Sequence, residues 1–327
     1  VLRWTDLSQI PPGFGPCVLT LGNFDGVHRG HRAVLTTVVG LARERSAHAV
    51  AITFDPHPLA VLHPERAPEP ITDLAHRLEL LESTGLDGVL VQPFSREFAQ
   101  LSPEEFVKQY FVEPFGACVV VVGKDTRFGV HNSGDVDTLR ELGAQLGFEV
   151  VVLGDVGDGH RWSSTQVRSS IAAGDVEHAA DVLGGLHRVA GVVVHGAHRG
   201  RELGFPTANL AGDSAGLVPA DGVYAGWLVR LDRPADEPER RLPAAISVGT
   251  NPTFDDVERT VEAYVLDRTD LDLYDERVAI EFAARLRSND RFESIESLLL
   301  QMADDVERTR TVLGLPRSGP SDSRATP

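Results

Sequence analysis

LTLGNFDGVHRGH, residues 19–31, carries the chain from an apolar run through two glycines to the start of an amphipathic segment. Val18, Leu19 and Leu21 read as a strand, Gly22 and Gly26 as a turn, and His28, Gly30 and His31 as the opening of a helix. A strand, glycine turn and helix in that order aim the free N–H groups and positive dipole end of the helix beyond the strand, where an anion is favoured. Histidines three residues apart, on one face of the first helical turn, add side-chain donors at the same place. Glycine alone is neutral on ligands, since any such turn needs its dihedral freedom. Four polar groups (Asn23, Asp25, His28, His31) are more than strand–helix packing asks for. Gly22, Asn23, Phe24, Asp25 and Gly30 are therefore the expected phosphate-binding positions.

Outward from this stretch the pattern repeats. Val34, Leu35, Val38, Leu41 and Ala42 paint one face of a helix over His31 to Ser46, and Ala49 to Phe54 reads as a short buried strand. That strand ends at Asp55-Pro56-His57-Pro58, where two prolines are expected to forbid further ladder or helix and to hold His57 on a stiff loop. Leu74, Leu78 and Leu81 suggest a helix, Gly88 to Val91 a strand, and Ser102-Pro103-Glu104-Glu105 a capping box with proline at the first helical position. Ala117 to Val122 is a strand that runs into the polar loop Gly123 to Gly129. A helix at about Asp137 to Leu146 and a strand at Phe148 to Leu153 follow. Nearly all-apolar strands alternating with helices imply a parallel sheet covered on both faces, which binds ligands at the carboxyl ends of its strands.

Trp162-Ser163-Ser164-Thr165-Gln166-Val167-Arg168 is first of all a helix N-cap, for which hydroxyl residues are ordinary. Three hydroxyls and an arginine one turn later also suit a polyphosphate, with Arg168 neutralising a leaving group, although on this stretch alone the cap is the preferred reading. A helix from Asp175 to Leu183 runs into Gly184-Gly185, the expected domain boundary. Beyond it, His187 to Val194, Gly222 to Arg230, Ala244 to Val248, Glu262 to Leu266 and Val278 to Ala284 read as strands with no helices between them, hence an antiparallel sheet or small barrel. The last helix, about Ser294 to Leu313, is expected to bury Ile295, Leu299, Met302, Val306 and Leu313 and to leave Asp304, Asp305, Glu307 and Arg308 in water.

With 327 residues the chain is long enough for about two domains. A net charge of −17 repels polyanions and argues against nucleic acid as a partner. Cys17 and Cys118 fit no metal or disulfide pattern, and the sequence has neither a membrane-length apolar run nor a signal-peptide pattern, so a cytoplasmic protein without a membrane partner is expected.

In the second half, the basic glycine loop Gly196 to Gly204 leads to Phe205-Pro206-Thr207-Ala208-Asn209. Thr207 and Asn209 lie two apart and so face one side of a strand, a reasonable pair of oxygen ligands for Mg²⁺ beside a nucleotide. Glu262 alternates with Val261, Ala263 and Val265 and faces the other way from them. Periodicity leaves it equally a general base toward a hydroxyl or a solvated strand residue.

Taken together, GNFDGVHRGH, FDPHP, the G-x-D-x-R-F-G loop, SSTQVR, GRELGFPTAN, SVGTNPTF and TVEAY resemble, in order and over nearly the whole chain, the bacterial bifunctional riboflavin kinase/FMN adenylyltransferases. The resemblance implies an α/β Rossmann-like nucleotidylyltransferase domain at 1–184, a small antiparallel riboflavin-kinase β-barrel with a C-terminal helix at 185–314, and a disordered tail at 315–327. In the first domain FMN would attack the α-phosphate of ATP and expel pyrophosphate to give FAD. His28, His31, Ser164, Thr165 and Arg168 would serve the phosphates, and Phe54, His57, Pro58, Asp125 and Phe128 would lie near the flavin. In the second, Thr207 and Asn209 would hold Mg²⁺–ATP. There Gly200, Arg201, Gly204, Phe205 and Pro206 would cover the phosphates, Asn251 would meet the flavin, and Glu262 would take the proton of riboflavin's 5′-hydroxyl. The family pattern often has an aromatic residue where this chain has Thr126, which implies weaker flavin stacking. A kinase with weak or absent adenylyl transfer, a nucleotidylyltransferase for another phosphorylated substrate, and a non-catalytic flavin-binding protein are the rival readings. Oligomeric state is not legible in the sequence.

Overall fold

The computed structural model describes residues 1–155, 157, 161–195, 205–212, 214–251 and 258–316. By its internal contacts the chain divides into two units, Val1–Ser164 and Thr165–Pro327. Gly184, at the expected boundary, caps a helix, Val176–Leu183, that this division groups with the second unit.

The first unit is built on β1 (Leu2–Trp4), β2 (Cys17–Leu21), β3 (His48–Asp55), β4 (Gly88–Pro93), β5 (Ala117–Gly123) and β6 (Glu149–Leu153), with helices α1 (Arg29–Glu44), α2 (Pro58–Leu62), α3 (Leu74–Glu82), α4 (Pro103–Val107) and α5 (Val136–Leu146) between them. All pairings are parallel, in the order β1-β4-β3-β2-β5-β6. Successive strand residues serve opposite cores, as the two-residue side-chain period requires. Val18, Ala51, Val89 and Val119 pack with Leu35, Val38 and Leu81 on one face. Leu19, Ile52, Leu90 and Val120 pack with Phe106, Phe111 and Leu139 on the other. Strand order reverses direction between β2 and β5, the position at which a doubly wound sheet opens a crevice at its carboxyl edge.

The sequence-derived elements of this unit are present, with three differences. His28, expected in the first turn of the helix, is instead the N-cap of α1, which starts at Arg29, and its Nδ1 accepts from the His31 N–H at 3.3 Å. Pro58 starts α2 rather than preventing a helix: at the first helical position its missing N–H costs nothing, and His57 caps the turn through Nδ1 to Leu59 N, 3.1 Å. The three-residue β1 is too short for periodicity to reveal. The capping box at Ser102 and Glu105 is formed as expected, and its helix widens into a π-helical turn over Lys108–Val112. Both cysteines are free; Cys17 is buried, which pushes its thiol up to about 12.

The second unit opens with α6 (Ser164–Ala173), whose first residue closes the first unit, and α7 (Val176–Leu183). Strands β7 (His187–Val194), β8 (Thr207–Leu210), β9 (Gly222–Arg230), β10 (Arg241–Asn251), β11 (Glu258–Val265) and β12 (Arg277–Arg287) form a closed antiparallel barrel in the order β10-β11-β8-β7-β12-β9. Val189, Ala208, Leu228, Ile246, Val261, Ala263 and Ile280 fill it. Gly226 is required where β9 meets β12, since a Cβ there would lie 1.9 Å from the Glu281 carbonyl oxygen. Arg285 on β12 donates to the carbonyls of Ala173 and Asp221, and the Glu177 carboxylate accepts from its N–H, which pins α6 and α7 to the barrel.

Helix α8 (Ile295–Leu313) corrects the expected burial stripe. Ile295 is 60% exposed, whereas Asp305, expected in water, is 3% exposed and bound by Arg287 through Nε at 3.0 Å and Nη2 at 2.8 Å. Thr309 and Arg310 share the buried face, and Arg310 pairs with Asp267. The helix docks through charges matched to arginine and aspartate at strand ends, a complementarity that an apolarity count cannot register. Removing one partner of such a buried pair strands the other, so Asp305→Ala is expected to cost about 3–5 kcal/mol. Urea unfolding followed by far-UV circular dichroism checks this, and a change below about 1 kcal/mol would contradict it.

Candidate active sites

The first unit has a cavity of about 320 Å³ at the carboxyl ends of β2, β5 and β6, at the reversal of strand order. Gly22, Phe24, His28, Gly30 and His31 form one wall, Gly123, Lys124 and Asp155 another, and Arg161 to Ser164 a third. The turn between β2 and α1 is conformationally costly. Phe24 and Val27 hold φ of 49° and 39°, in the left-handed region that a β-branched residue rarely adopts, and Gly26 lies at 79°. Gly22 is needed beneath Phe24, whose ring lies 3.2 Å from where a Cβ would be. At Gly30 a Cβ would meet the His28 ring at 3.0 Å, so this glycine lets the ring fold back over the helix start.

His28 and His31 stack with ring centroids 3.7 Å apart. Burial, then the neighbouring His28, then Arg161 hold His31 well below the usual histidine range, so it is neutral at pH 7. Among the described residues its buried Nδ1 has no hydrogen-bond partner. An anion arriving in the cavity reverses the local field and favours a charged or strongly donating imidazole, which suits His31 to phosphate. The same depression has a consequence for stability. The unfolded chain binds a proton to His31 near pH 6.5 and the folded one does not, so stability falls as pH drops through 6.5, at no more than about 1.4 kcal/mol per pH unit for this group. Thermal unfolding between pH 7.5 and 5.5 is expected to show a steeper pH dependence in the wild-type protein than in His31→Gln; equal slopes would contradict this.

Lys124 pairs with Asp155 at 2.6 Å, and Arg161 reaches Asp155 at 3.5 Å and also pairs with Asp125. Arg29 sits over the Trp162 ring, 5.5 Å from its centroid. Lys124 and Trp162 belong to stretches singled out in the sequence without being named for the site, and Asp155 and Arg161 are cavity residues that sequence reading missed. Each is unremarkable in its own segment, and they meet only because β5 and β6 are neighbours in the sheet. Ser164 lines the cavity and donates to the Asp25 carbonyl at 3.0 Å; Thr165 and Arg168 follow on α6 in the second unit.

Other expected residues have different surroundings. The Asp25 carboxylate is buried and accepts from the N–H groups of Ile71 and Thr72 at 3.0 Å each and from the Thr72 hydroxyl at 3.2 Å, so it braces the turn rather than lining the cavity. The Asn23 amide lies 3.0 Å from His57 Nε2 and so joins the turn to the Asp55–Pro58 loop. Phe54 and Phe128 are buried members of an aromatic cluster: Phe54 contacts Phe94 and Phe98, and Phe128 contacts Phe106, with Tyr110 completing the group. Pro58 opens α2 beside them in sequence.

In the second unit, cross-strand register places Glu262 opposite Asn209, and Tyr264 opposite Thr207. The Thr207 hydroxyl donates to Glu262 Oε2 at 3.3 Å, and Asn209 Nδ2 donates to Thr207 Oγ1 at 3.3 Å. Since Val261 and Ala263 fill the barrel, these three side chains share its outer face. Phe205 packs on Tyr264 with centroids 5.1 Å apart, and Pro206 precedes β8. Gly200, Arg201 and Gly204 lie outside the described residues, and Asn251 is described only as backbone at the end of β10.

Two domain profiles cover the chain: FAD synthetase matches residues 12–166 and Riboflavin kinase residues 183–313. The bifunctional riboflavin kinase/FMN adenylyltransferase of Escherichia coli K12 is 35% identical, over 95% of this chain and 96% of its own length. That of Pseudomonas fluorescens is 37% identical over 94% and 96%. The chain belongs to the bifunctional riboflavin kinase/FMN adenylyltransferase family. A solved structure described as a macrolide-efflux protein from Streptococcus pneumoniae is also similar. It is 31% identical, with a TM-score of 0.83 over 94% of this chain and 98% of that one. Among the described residues of this family member, no helix is long and apolar enough to cross a membrane. The FAD synthetase match takes in the whole histidine turn and cavity, and the Riboflavin kinase match takes in Thr207, Asn209 and Glu262.

Proposed function

We propose that the chain converts riboflavin to FMN on the barrel and FMN to FAD in the cavity of the first unit, with ATP as the co-substrate of both steps. The observation that carries this reading is the pair of separate constellations: stacked histidines at a helix start, and a carboxylate hydrogen-bonded to a hydroxyl on the outer face of a barrel.

On the barrel, Glu262 accepts the proton of the ribityl 5′-hydroxyl, the 5′-oxygen bonds to the γ-phosphorus, and the bond from that phosphorus to the bridging oxygen breaks to release ADP. Thr207 and Asn209 supply hydroxyl and amide oxygens beside one carboxylate, a hard donor set that suits Mg²⁺ carried mainly by substrate phosphates. Asn209, with its Nδ2 turned to Thr207, leaves its Oδ1 for the cation. When bound, Mg²⁺ neutralises charge on the transferring phosphate. Phe205, which packs on Tyr264, and Pro206 lead into the strand that carries Thr207 and Asn209.

In the cavity, an oxygen of the FMN phosphate attacks the α-phosphorus of ATP and pyrophosphate departs. The attacking oxygen is already ionised, so no general base is needed, and the protein's task is positioning and charge stabilisation. His28, His31 and the N–H groups at the start of α1 serve the phosphates, with Lys124 and Arg161 as the neighbouring cations. By resemblance to the family the flavin ring lies near the loops that follow Phe54 and carry Phe128, and Thr126 weakens its stacking there. The net charge of −17 supports small-molecule substrates rather than nucleic acid.

Incubation with riboflavin, ATP and Mg²⁺, followed by flavin chromatography, tests the proposal. FMN followed by FAD is expected. FMN alone would contradict the cavity assignment, and unchanged riboflavin would contradict the barrel assignment.

A further inference from the structure

Arg77 lies on α3 among Leu74, Leu78 and Leu81, the face that packs into the core, and is 6% exposed. Its Nη1 donates to the carbonyl of Asn23 at 3.1 Å and to that of Phe54 at 3.2 Å, and its Nη2 reaches Asp55 Oδ1 at 3.2 Å. One buried guanidinium thus holds the turn between β2 and α1 and the end of β3 together, and it does so without lining the cavity itself. A second grip comes from the segment just before α3. The Gly26 N–H donates to the Thr72 hydroxyl at 3.2 Å, and Ile71 and Thr72 hold the Asp25 carboxylate.

We infer that Arg77 is a positioning residue of the adenylyl-transfer site, fixing the relative placement of the histidine turn and the Asp55–Pro58 loop. Three observations lead there. The partners of this buried cation are two main-chain carbonyls and a carboxylate whose side chain is 47% exposed. That is poor compensation for desolvating a charge, and an apolar side chain at this core-facing position would suit stability better. The turn it holds has two non-glycine residues at positive φ, a conformation that persists only where its surroundings over-determine it. The two segments it joins also meet directly, through Asn23 and His57 at 3.0 Å. A fork of donors can tie both together, whereas a single ammonium cannot reach all three acceptors in one geometry.

The inference rests on the cavity being the site of FMN adenylylation, and the wild-type protein tests that premise in the same assay. Purified wild type, Arg77→Met and Arg77→Lys are compared for FMN-to-FAD turnover, for riboflavin phosphorylation, and for the folded fraction by thermal unfolding. In Arg77→Met, adenylyl kcat per folded molecule is expected to fall about 30- to 100-fold, the loss typical of a displaced reacting group, with KM for ATP within threefold and kinase kcat within twofold of wild type. Arg77→Lys, which keeps the charge without the fork, should lie between, at least fivefold below wild type. If Arg77→Met does not fold, the lysine variant decides alone. Adenylyl kcat per folded molecule within twofold of wild type, in Met or in Lys, would overturn the inference, as would equal losses of both activities. A wild-type protein that phosphorylates riboflavin but makes no FAD would overturn the premise, and the inference with it.

Discussion

Glu262→Gln is expected to lower riboflavin phosphorylation about 10²- to 10⁴-fold, the usual contribution of a general base, while conversion of supplied FMN to FAD continues at the wild-type rate. Glutamine keeps the shape of the side chain and still accepts from Thr207 through its amide oxygen, so the Thr207–Asn209 pair on the neighbouring strand has no reason to rearrange. What is lost is a group able to take the 5′-hydroxyl proton. Initial rates of each half-reaction, with flavins separated by chromatography, give the two numbers. A variant that phosphorylates riboflavin within threefold of wild type would remove Glu262 from the chemistry and leave it a solvated residue on the outside of the barrel.

His31→Ala is expected to show the converse, with adenylyl transfer reduced about 10²- to 10³-fold and the kinase unaffected, in line with the loss of one preorganised donor at a developing charge. His31 is a cleaner test than His28. The His28 side chain also caps α1, and its removal would add a folding cost of about 1 kcal/mol to any catalytic one. Among the described residues the His31 side chain caps no helix; its ring stacks on His28 and meets the Phe24 ring edge to face. Loss of both activities in a folded His31→Ala protein would contradict separate sites.

Much of this was legible in the sequence because it is local. Buried parallel strands announce themselves as apolar runs, the histidine turn is contiguous, and Thr207 and Asn209 share a strand. The role of Glu262 was not legible, because its meaning depends on register with a strand 55 residues away in sequence. Arg77 was hidden for a related reason: it occupies a core-facing position within a leucine stripe, and its partners, the Asn23 and Phe54 carbonyls and the Asp55 carboxylate, come from other segments. Lys124 and Arg161 come to the cavity from the ends of different segments. On α8 the hydrophobic pattern misled, because Asp305 is buried by an arginine on β12 that nothing within the helix foretells.

The central claim is that one chain holds two self-sufficient active sites linked by FMN as product and substrate. Mixing Glu262→Gln and His31→Ala proteins in equal amounts with riboflavin, ATP and Mg²⁺ tests it most directly. Glu262→Gln alone should leave riboflavin unchanged, and His31→Ala alone should accumulate FMN. Together they should form FAD, as FMN released by one is adenylylated by the other. A mixture that accumulates FMN but makes no FAD, although Glu262→Gln is folded, would contradict the account.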